Sequence, residues 1–386
     1  MEYASFVRPE IAEMEAYTPI VPFEVLSARL GRTPEEIVKL DANENPYGPS
    51  PKALAALRNG RFFHIYPDPE SNQLRDALSD YVQMPKNRLL TGMGADELID
   101  LVLRVVLSPD DVVIDCPPSF GMYPFSTAVN SGQYVPVWRN EDFSLNVPAI
   151  EQAVADHPTA KILFLCSPNN PDGSTIPDAD LRRLLQLPLL VVLDEAYADF
   201  DLIHRGERGG SGEKEEKNAA ASAVKNHSRI HWTLEYDNLA VLRTFSKLAG
   251  LAGLRVGYGA FPEWLLPHLW KIKQPYNINV AASLAALASL EDQAWLEEKV
   301  QLLVAERERL FAELGTISYL NPFPSRSNFI LCRVIGRDAR QLKLDLEQAG
   351  ILVRYFNKPG LDNCIRVSAG RPEETDKLIQ ALKYLA

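Results

Sequence analysis

The sequence predicts an α/β fold: a large body on a mostly parallel central sheet covered by helices, followed by a smaller α/β unit. Three observations carry this. Near-continuous apolar runs alternate with helical patterns, as strands buried on both faces require. Flexible or charged stretches punctuate the runs but do not replace them. The polar residues Asn170, Asp194 and Lys247 each follow the carboxyl end of an apolar run, the edge at which open parallel sheets bind ligands.

Residues 1–40 read as an N-terminal arm with a short helix, broken by Pro9, Pro19 and Pro22 and expected to join the smaller unit. Residues 41–280 are expected to form the large domain. It opens on a polar, turn-rich loop, "LDANENPYGPSP" (40–51). "ADELIDLVLRVVL" (95–107) has helical periodicity, and "DVVIDCPPSF" (111–120) is a strand that meets prolines. "KILFLCSPNNPDG" (161–173) is a strand ending in a polar turn, "DADLRRLLQL" (178–187) a helix, and "PLLVVLDEAYADF" (188–200) another strand. "NLAVLRTFSK" (238–247) and "RVGYGAF" (255–261) follow. Residues 205–229, rich in Gly, Ser, Lys and Glu and poor in large apolar residues, read as a flexible surface insertion. Residues 281–386 are expected to form the small C-terminal domain, entered through a long helix with a break over 281–314.

Bulk properties narrow the function. A chain of 386 residues can bury a large core without disulfides or metals. The net charge of −11 argues against nucleic acid as a partner. No apolar run reaches the roughly 18 residues of a membrane span. The stretch "MEYASFVRPEIAEMEAY" lacks the apolar core of a signal peptide, so a cytoplasmic location is expected. Cys116, Cys166, Cys332 and Cys364 form no C-x-x-C pair and read as buried reduced thiols. No metal site is expected.

The chemistry centres on "RTFSKLAGLAGLRVGYG" (243–259). An amine at the end of a buried strand can be partly desolvated, which lowers its pKa and makes it a nucleophile toward a carbonyl. Thr244 and Ser246 bring hydroxyls beside Lys247. Gly250 and Gly253 would let backbone approach a ligand. Arg255 supplies a fork-shaped cation suited to phosphate. An amine, hydroxyls and an arginine suit an aldehyde that bears a phosphate, as pyridoxal phosphate does.

That cofactor needs a buried carboxylate for its ring nitrogen. Asp194, after "LLVVL", is placed to supply it, with Glu195 pointing away. Tyr197 and Asn170 could bond the ring hydroxyl. Gly94, Ala95 and Asp96 open a helix, where free N–H groups favour anions.

The order GADE (94–97), SPNNPDG (167–173), DEAY (194–197) and SK-x7-R (246–255) resembles the fold-type-I pyridoxal-phosphate aminotransferases. "NENPYGPSP", "YPDP" (66–69), "TFSKLAGLAGLRVGY" (244–258) and "CIRVSAG" (364–370) resemble the histidinol-phosphate branch of that family, and the likeness spans nearly the whole chain. The resemblance implies that Lys247 bonds the cofactor and shuttles a proton, and that Asp194 pairs with the pyridinium. Asn170 and Tyr197 would contact the ring oxygen, and Ala95, Asp96, Ser246 and Arg255 the phosphate. Phe120 would stack on the ring, with Tyr123 the less favoured stacker. Tyr66 would reach the phosphate of a neighbouring subunit, so a homodimer is implied. Arg366 would bind the α-carboxylate of glutamate. Arg354, with Tyr17 on the arm, would recognise the histidinol phosphate group or the distal carboxylate, and Asn43 would line the pocket.

The implied substrates are histidinol phosphate and glutamate or 2-oxoglutarate. An aromatic or broad-range aminotransferase, or a threonine-phosphate decarboxylase, would share the cofactor residues. A non-catalytic regulator is disfavoured because Lys247 and Asp194 are both present. Asp172 stands where threonine is common, a difference that a turn tolerates. Arg371 stands where a smaller residue is usual, and "YTPIVP" lacks the glycine often found in that arm.

Overall fold

The computed structural model describes residues 6–14, 22–203 and 225–385. Its larger sheet has seven strands, in the order Leu89–Gly92, Gly257–Ala260, Leu239–Thr244, Leu190–Asp194, Ala160–Cys166, Val112–Asp115 and Gln133–Pro136. Gly257–Ala260 runs against both its neighbours, and the other ladders are parallel.

Strand alternation explains the continuous apolar runs. Val113, Ile162, Phe164, Val192 and Ala240 enter one core, with helices Ala95–Val106 and Leu266–Ile272. Ile114, Leu163, Leu165, Val191, Leu193 and Val241 enter a second core, with helices Asn72–Val82 and Val280–Leu290. Successive residues point to opposite faces, so a strand covered on both sides must be apolar at every position.

The second sheet has five strands, in the order Val38–Leu40, Ile351–Tyr355, Cys364–Ser368, Phe329–Val334 and Leu320–Pro322. Val38–Leu40 pairs in parallel with Ile351–Tyr355, so the end of the arm closes one edge of the C-terminal sheet. Its core gathers Leu310, Leu314, Leu342, Leu346, Leu378 and Leu382 under Ile330, Val353, Ile365 and Val367. The long helical run over 281–314 is interrupted between Val280–Leu290 and Gln293–Leu314. Asn279 caps the first of these helices, its Oδ1 accepting from the Ala282 N–H at 2.8 Å. All four cysteines are buried and unpaired.

One boundary moves. Of the expected insertion 205–229, residues 205–224 lie outside the described residues. Lys225–Asn226, however, pairs with Leu202–Ile203 as a short antiparallel ladder. Arg229 is buried, donates to the Ile176 carbonyl at 2.7 Å and pairs with Asp178. Residues 225–229 are therefore part of the fold. Composition misled the reading because Arg229 is polar yet fully provided with acceptors.

A buried ionic cluster ties this region to the sheet. Arg243 donates to Asp199 at 2.5 Å and lies 3.6 Å from Glu195. Glu195 also accepts from Ser228 Oγ at 2.5 Å and from the Arg229 N–H at 2.7 Å. It thus faces away from the strand-end edge, as strand alternation requires of a neighbour of Asp194. Removing one partner of such a cluster strands a buried charge. Arg243→Met is expected to destabilise the fold by about 3–5 kcal/mol in denaturant unfolding, whereas Arg182→Met on the surface should cost under about 1 kcal/mol.

Candidate active site

The carboxyl ends of the larger sheet face the edge of the five-stranded sheet, and the polar centre forms where they meet. Strand Leu239–Thr244 leads into Lys247. Its Nζ donates to the Ala42 carbonyl at 3.2 Å and lies 5.7 Å from the centre of the Tyr197 ring. Desolvation, then repulsion from Arg366, lowers the amine to about 8.

Strand Leu190–Asp194 ends in the buried Asp194. Its Oδ2 accepts from the Tyr123 hydroxyl at 2.8 Å and its Oδ1 from the Ala196 N–H at 2.9 Å. Burial lifts this carboxyl to about 6, and the two hydrogen bonds pull the other way. Tyr123 is fully buried, with its ring stacked on Phe164 at 4.7 Å. This corrects its reading as an alternative ring stacker: its ring is already covered and its hydroxyl is committed to Asp194. Phe120 packs edge-on against Tyr123 at 5.6 Å and is only partly buried, so its ring keeps an open face.

The third strand end, after Ala160–Cys166, carries Asn170. Its Oδ1 accepts from Arg366 Nη1 at 2.6 Å. Arg366 sits on strand Cys364–Ser368 of the other sheet, and its Nη2 donates to the Asp41 carbonyl at 2.9 Å. Its guanidinium lies over the rings of Phe329 and Phe356 at 5.1 and 5.5 Å. Arg354 is directly opposite Arg366 in the antiparallel register and leans on the same Phe356 at 5.9 Å.

Asn43 is buried, with a left-handed backbone (φ +54°). It donates from Nδ2 to Tyr197 Oη at 3.0 Å, and its Oδ1 accepts from Ser368 Oγ at 3.1 Å. Asn328 donates to the Asn43 carbonyl at 3.1 Å.

A second cluster lies beside the start of helix Ala95–Val106. Arg255 donates from Nη2 to Asp96 at 2.8 Å and from Nη1 to Ser246 Oγ at 3.4 Å. Thr244 Oγ1 and Ser246 Oγ are 3.0 Å apart. Gly94 has φ +78°, and a Cβ there would stand 2.5 Å from Arg255 Nη2. Any side chain at 94 would fill the cradle formed by the guanidinium and the helix N-terminus.

Gly250 packs against the protein itself. Gly250 has φ +66°, and its Cβ would lie 2.4 Å from the Gly48 carbonyl oxygen. It seats the lysine loop on the "NPYGP" loop, while a Cβ at Gly253 would meet nothing within 4 Å. Gly250 thus serves the packing of the two loops.

The structure thus brings together Lys247, Tyr197, Asn43, Asn170 and Arg366, with Arg354 alongside. It places Gly94, Ala95, Asp96, Thr244, Ser246 and Arg255 in the adjoining cluster. Tyr66 is apart from both: it is 79% exposed and stacked on Tyr276 at 4.7 Å. Tyr17 lies outside the described residues. Sequence reasoning missed Ala42, Ser368 and Asn328 as site-forming groups, and missed the bond of Tyr123 to Asp194. The paired arrangement of Tyr123 with Asp194 has no local signature, because 71 residues separate them.

Comparison with known proteins shows the family. The profile of the aminotransferase class I and II family matches residues 35–382. The chain belongs to that family. It is 53% identical over 380 residues to histidinol-phosphate aminotransferase 1, chloroplastic, of Arabidopsis thaliana, covering 98% of this chain and 85% of the relative. It is 48% identical to the histidinol-phosphate aminotransferase of Roseiflexus castenholzii, covering 98% of each chain. Among solved structures, the histidinol-phosphate aminotransferase of Sinorhizobium meliloti in complex with pyridoxal-5'-phosphate superposes with a TM-score of 0.84 at 28% identity, covering 99% of both chains.

Asp194 supplies a pH test. Its carboxyl stands near 6 in the folded, cofactor-free protein, against about 3.9 when unfolded. The folded state therefore binds the proton more tightly, so this group's contribution to stability falls as pH rises from about 4 to 6. Asp194→Asn is expected to flatten the stability–pH curve of the cofactor-free protein in that window, read by denaturant unfolding at stepped pH. A curve parallel to that of the parent would show that Asp194 is not the group titrating there.

Proposed function

We propose that this chain is a pyridoxal-phosphate-dependent histidinol-phosphate aminotransferase of histidine biosynthesis. It interconverts histidinol phosphate plus 2-oxoglutarate with imidazole-acetol phosphate plus glutamate. The observation that carries the reading is a partly desolvated amine beside Arg366, which lies opposite Arg354 across a strand pair. Like charges directly opposite on one face of a sheet are unfavourable, and an anionic substrate relieves the repulsion.

The residues present fit the cofactor. Asp194 is a buried carboxylate with both oxygens already oriented by donors, ready for a cationic ring nitrogen. Arg255, Ser246, Thr244 and the N–H groups of Ala95 and Asp96 surround the Gly94 cradle and suit a phosphate. When bound, the cofactor supplies an aldehyde that an amine can capture and a ring that spreads carbanion charge.

Lys247 would hold the aldehyde carbon. Once displaced by the incoming amino group, its Nζ would take the substrate Cα proton and return it to the carbon it had held. With the amine lowered to about 8, an appreciable fraction is neutral near pH 7 and able to act as the base. Asn170 and Tyr197 would hold the ring oxygen, and Phe120 would cover the ring face. Arg366 would take the α-carboxylate, and Arg354 the distal carboxylate or the phosphate. Asn43 would line the pocket and Tyr17 would approach from the arm.

The assembly proposed is a homodimer in which Tyr66 reaches the neighbouring site. Phe62, Phe63, Ile65 and Tyr66 are all exposed on one short segment, an apolar patch that association would cover. The chain would divide into an arm (1–40), a large domain (41–280) and a small domain (281–386). Four buried, unpaired cysteines suit a reducing compartment such as the cytoplasm. Among the described residues, no helix is long and apolar enough to cross a membrane.

Two measurements test this reading. Pyridoxal phosphate added to the cofactor-free protein should give a visible absorption band, which histidinol phosphate then bleaches faster than phenylalanine does. Lys247→Ala should abolish both the band and turnover. Faster bleaching by phenylalanine would move the assignment to an aromatic aminotransferase, and carbon dioxide release from threonine phosphate would move it to a decarboxylase. The rate of cofactor capture should also rise with pH through about 8, as Lys247 loses its proton. A flat profile there would remove Lys247 as the capturing amine.

A further inference from the structure

Asp172 occupies a position where turn geometry alone would accept a neutral residue, yet the structure buries it to 1% exposure. Its Oδ1 accepts from the Ser174 N–H at 2.8 Å, and its Oδ2 accepts from the Asn169 side-chain amide. Asn169 is fully buried as well. Its Nδ2 also donates to the Pro118 carbonyl at 3.0 Å, and its Oδ1 accepts from Ser119 Oγ at 3.1 Å.

A carboxylate is acceptor-only when ionised. It therefore dictates which end of the Asn169 amide faces it. The NH2 group turns to Asp172 and Pro118, and the oxygen turns to Ser119. A buried carboxylate is costly, and a positive charge reduces that cost. Arg139 is nearby, with Nη1 donating to Phe143 O at 2.9 Å and to Ser174 Oγ at 3.4 Å, and its attraction opposes the rise that burial imposes on Asp172.

The loop that Asp172 shapes touches both sides of the site. Pro118 and Ser119 lead directly into Phe120. Asn170, next to Asn169, accepts from Arg366. Gly173 accepts through its carbonyl from the Arg326 N–H at 2.8 Å, next to the five-stranded sheet. A Cβ at 173 would stand 2.0 Å from Ser325 Oγ, so the contact is a close one.

We infer that Asp172 is a positioning residue for oxo-acid and amino-acid binding: by fixing the orientation of Asn169 it sets Asn170 and Arg366 against the Phe120 wall. The inference rests on the reading that Arg366 takes the substrate carboxylate. It differs from a purely structural role, which would alter folding and leave the binding of a folded protein unchanged.

The test uses Asp172→Asn, which keeps the shape but leaves one amide oxygen for two donors, the Asn169 NH2 and the Ser174 N–H. The full chain is loaded with pyridoxal phosphate and titrated with 2-oxoglutarate by calorimetry. The expected result is 2-oxoglutarate affinity lowered about tenfold, the scale of one misplaced hydrogen bond, with a smaller loss of cofactor affinity, because Lys247, Asp194 and the phosphate cluster would still hold the cofactor. KM for 2-oxoglutarate should rise more than kcat falls. Asp172→Thr, whose hydroxyl can accept from Asn169, should recover most of the lost affinity.

Unchanged 2-oxoglutarate affinity in a folded Asn variant would overturn the proposal, as would equal losses of cofactor and 2-oxoglutarate affinity. Should the Asn variant not fold, Asn169→Ser removes the amide that Asp172 orients. The same selective loss is expected there, and unchanged affinity would overturn the proposal. Failure of the parent itself to bind pyridoxal phosphate or 2-oxoglutarate would instead sink the functional reading, so the two failures are distinguishable.

Discussion

Two consecutive backbone carbonyls hold the polar centre together. Asp41 O accepts from Arg366 and Ala42 O from Lys247. A carbonyl can satisfy a cation's hydrogen bond without cancelling its charge. The amine and the guanidinium are thereby held close enough to feel each other, and Arg366 helps to lower the lysine. A carboxylate in place of either carbonyl would neutralise the pair and raise the amine. The segment 41–43 therefore orders two cations while leaving their field available to an anion.

The same segment joins the two sheets. Val38–Leu40 is an edge strand of the five-stranded sheet, and three residues later Asn43 reaches Tyr197 at the carboxyl edge of the seven-stranded sheet. Ser368 and Asn328 close on Asn43 from the far side. A shift of one sheet against the other would strain these buried hydrogen bonds, and an unmet buried donor or acceptor costs about 1–3 kcal/mol. Site geometry and sheet-to-sheet orientation are thus one constraint.

Much of the fold was legible along the chain. The strands of the large sheet are continuous apolar runs because two cores claim alternate residues, and such runs stand out in any sequence. Lys247, Asp194 and Asn170 were legible because charged or amide groups directly after such runs are unusual enough to ask for a purpose. Residues 225–229 and Asp172 were misjudged for one shared reason. Local composition and turn preference describe what a segment tolerates when exposed, and Arg229 and Asp172 are polar but buried. The bond of Tyr123 to Asp194 was not legible, because an aromatic ring in a "PPSFGMY" stretch gives no hint of where its hydroxyl points.

By itself the sequence determined the class of the chain: the alternation of apolar strands and helices, the amine at a strand end, and the arginines and glycines around it. These are properties of residue type and spacing, written in one dimension. Tertiary structure alone decided that Arg354 and Arg366 face each other, that Ala42 offers a carbonyl to Lys247, and that Tyr123 steadies Asp194. It also decided that Asp172 governs the orientation of Asn169. Each of these depends on which strands pair, in what register, and on which atoms lose water together. A backbone carbonyl or a buried hydroxyl carries no mark in the sequence until packing removes the solvent around it.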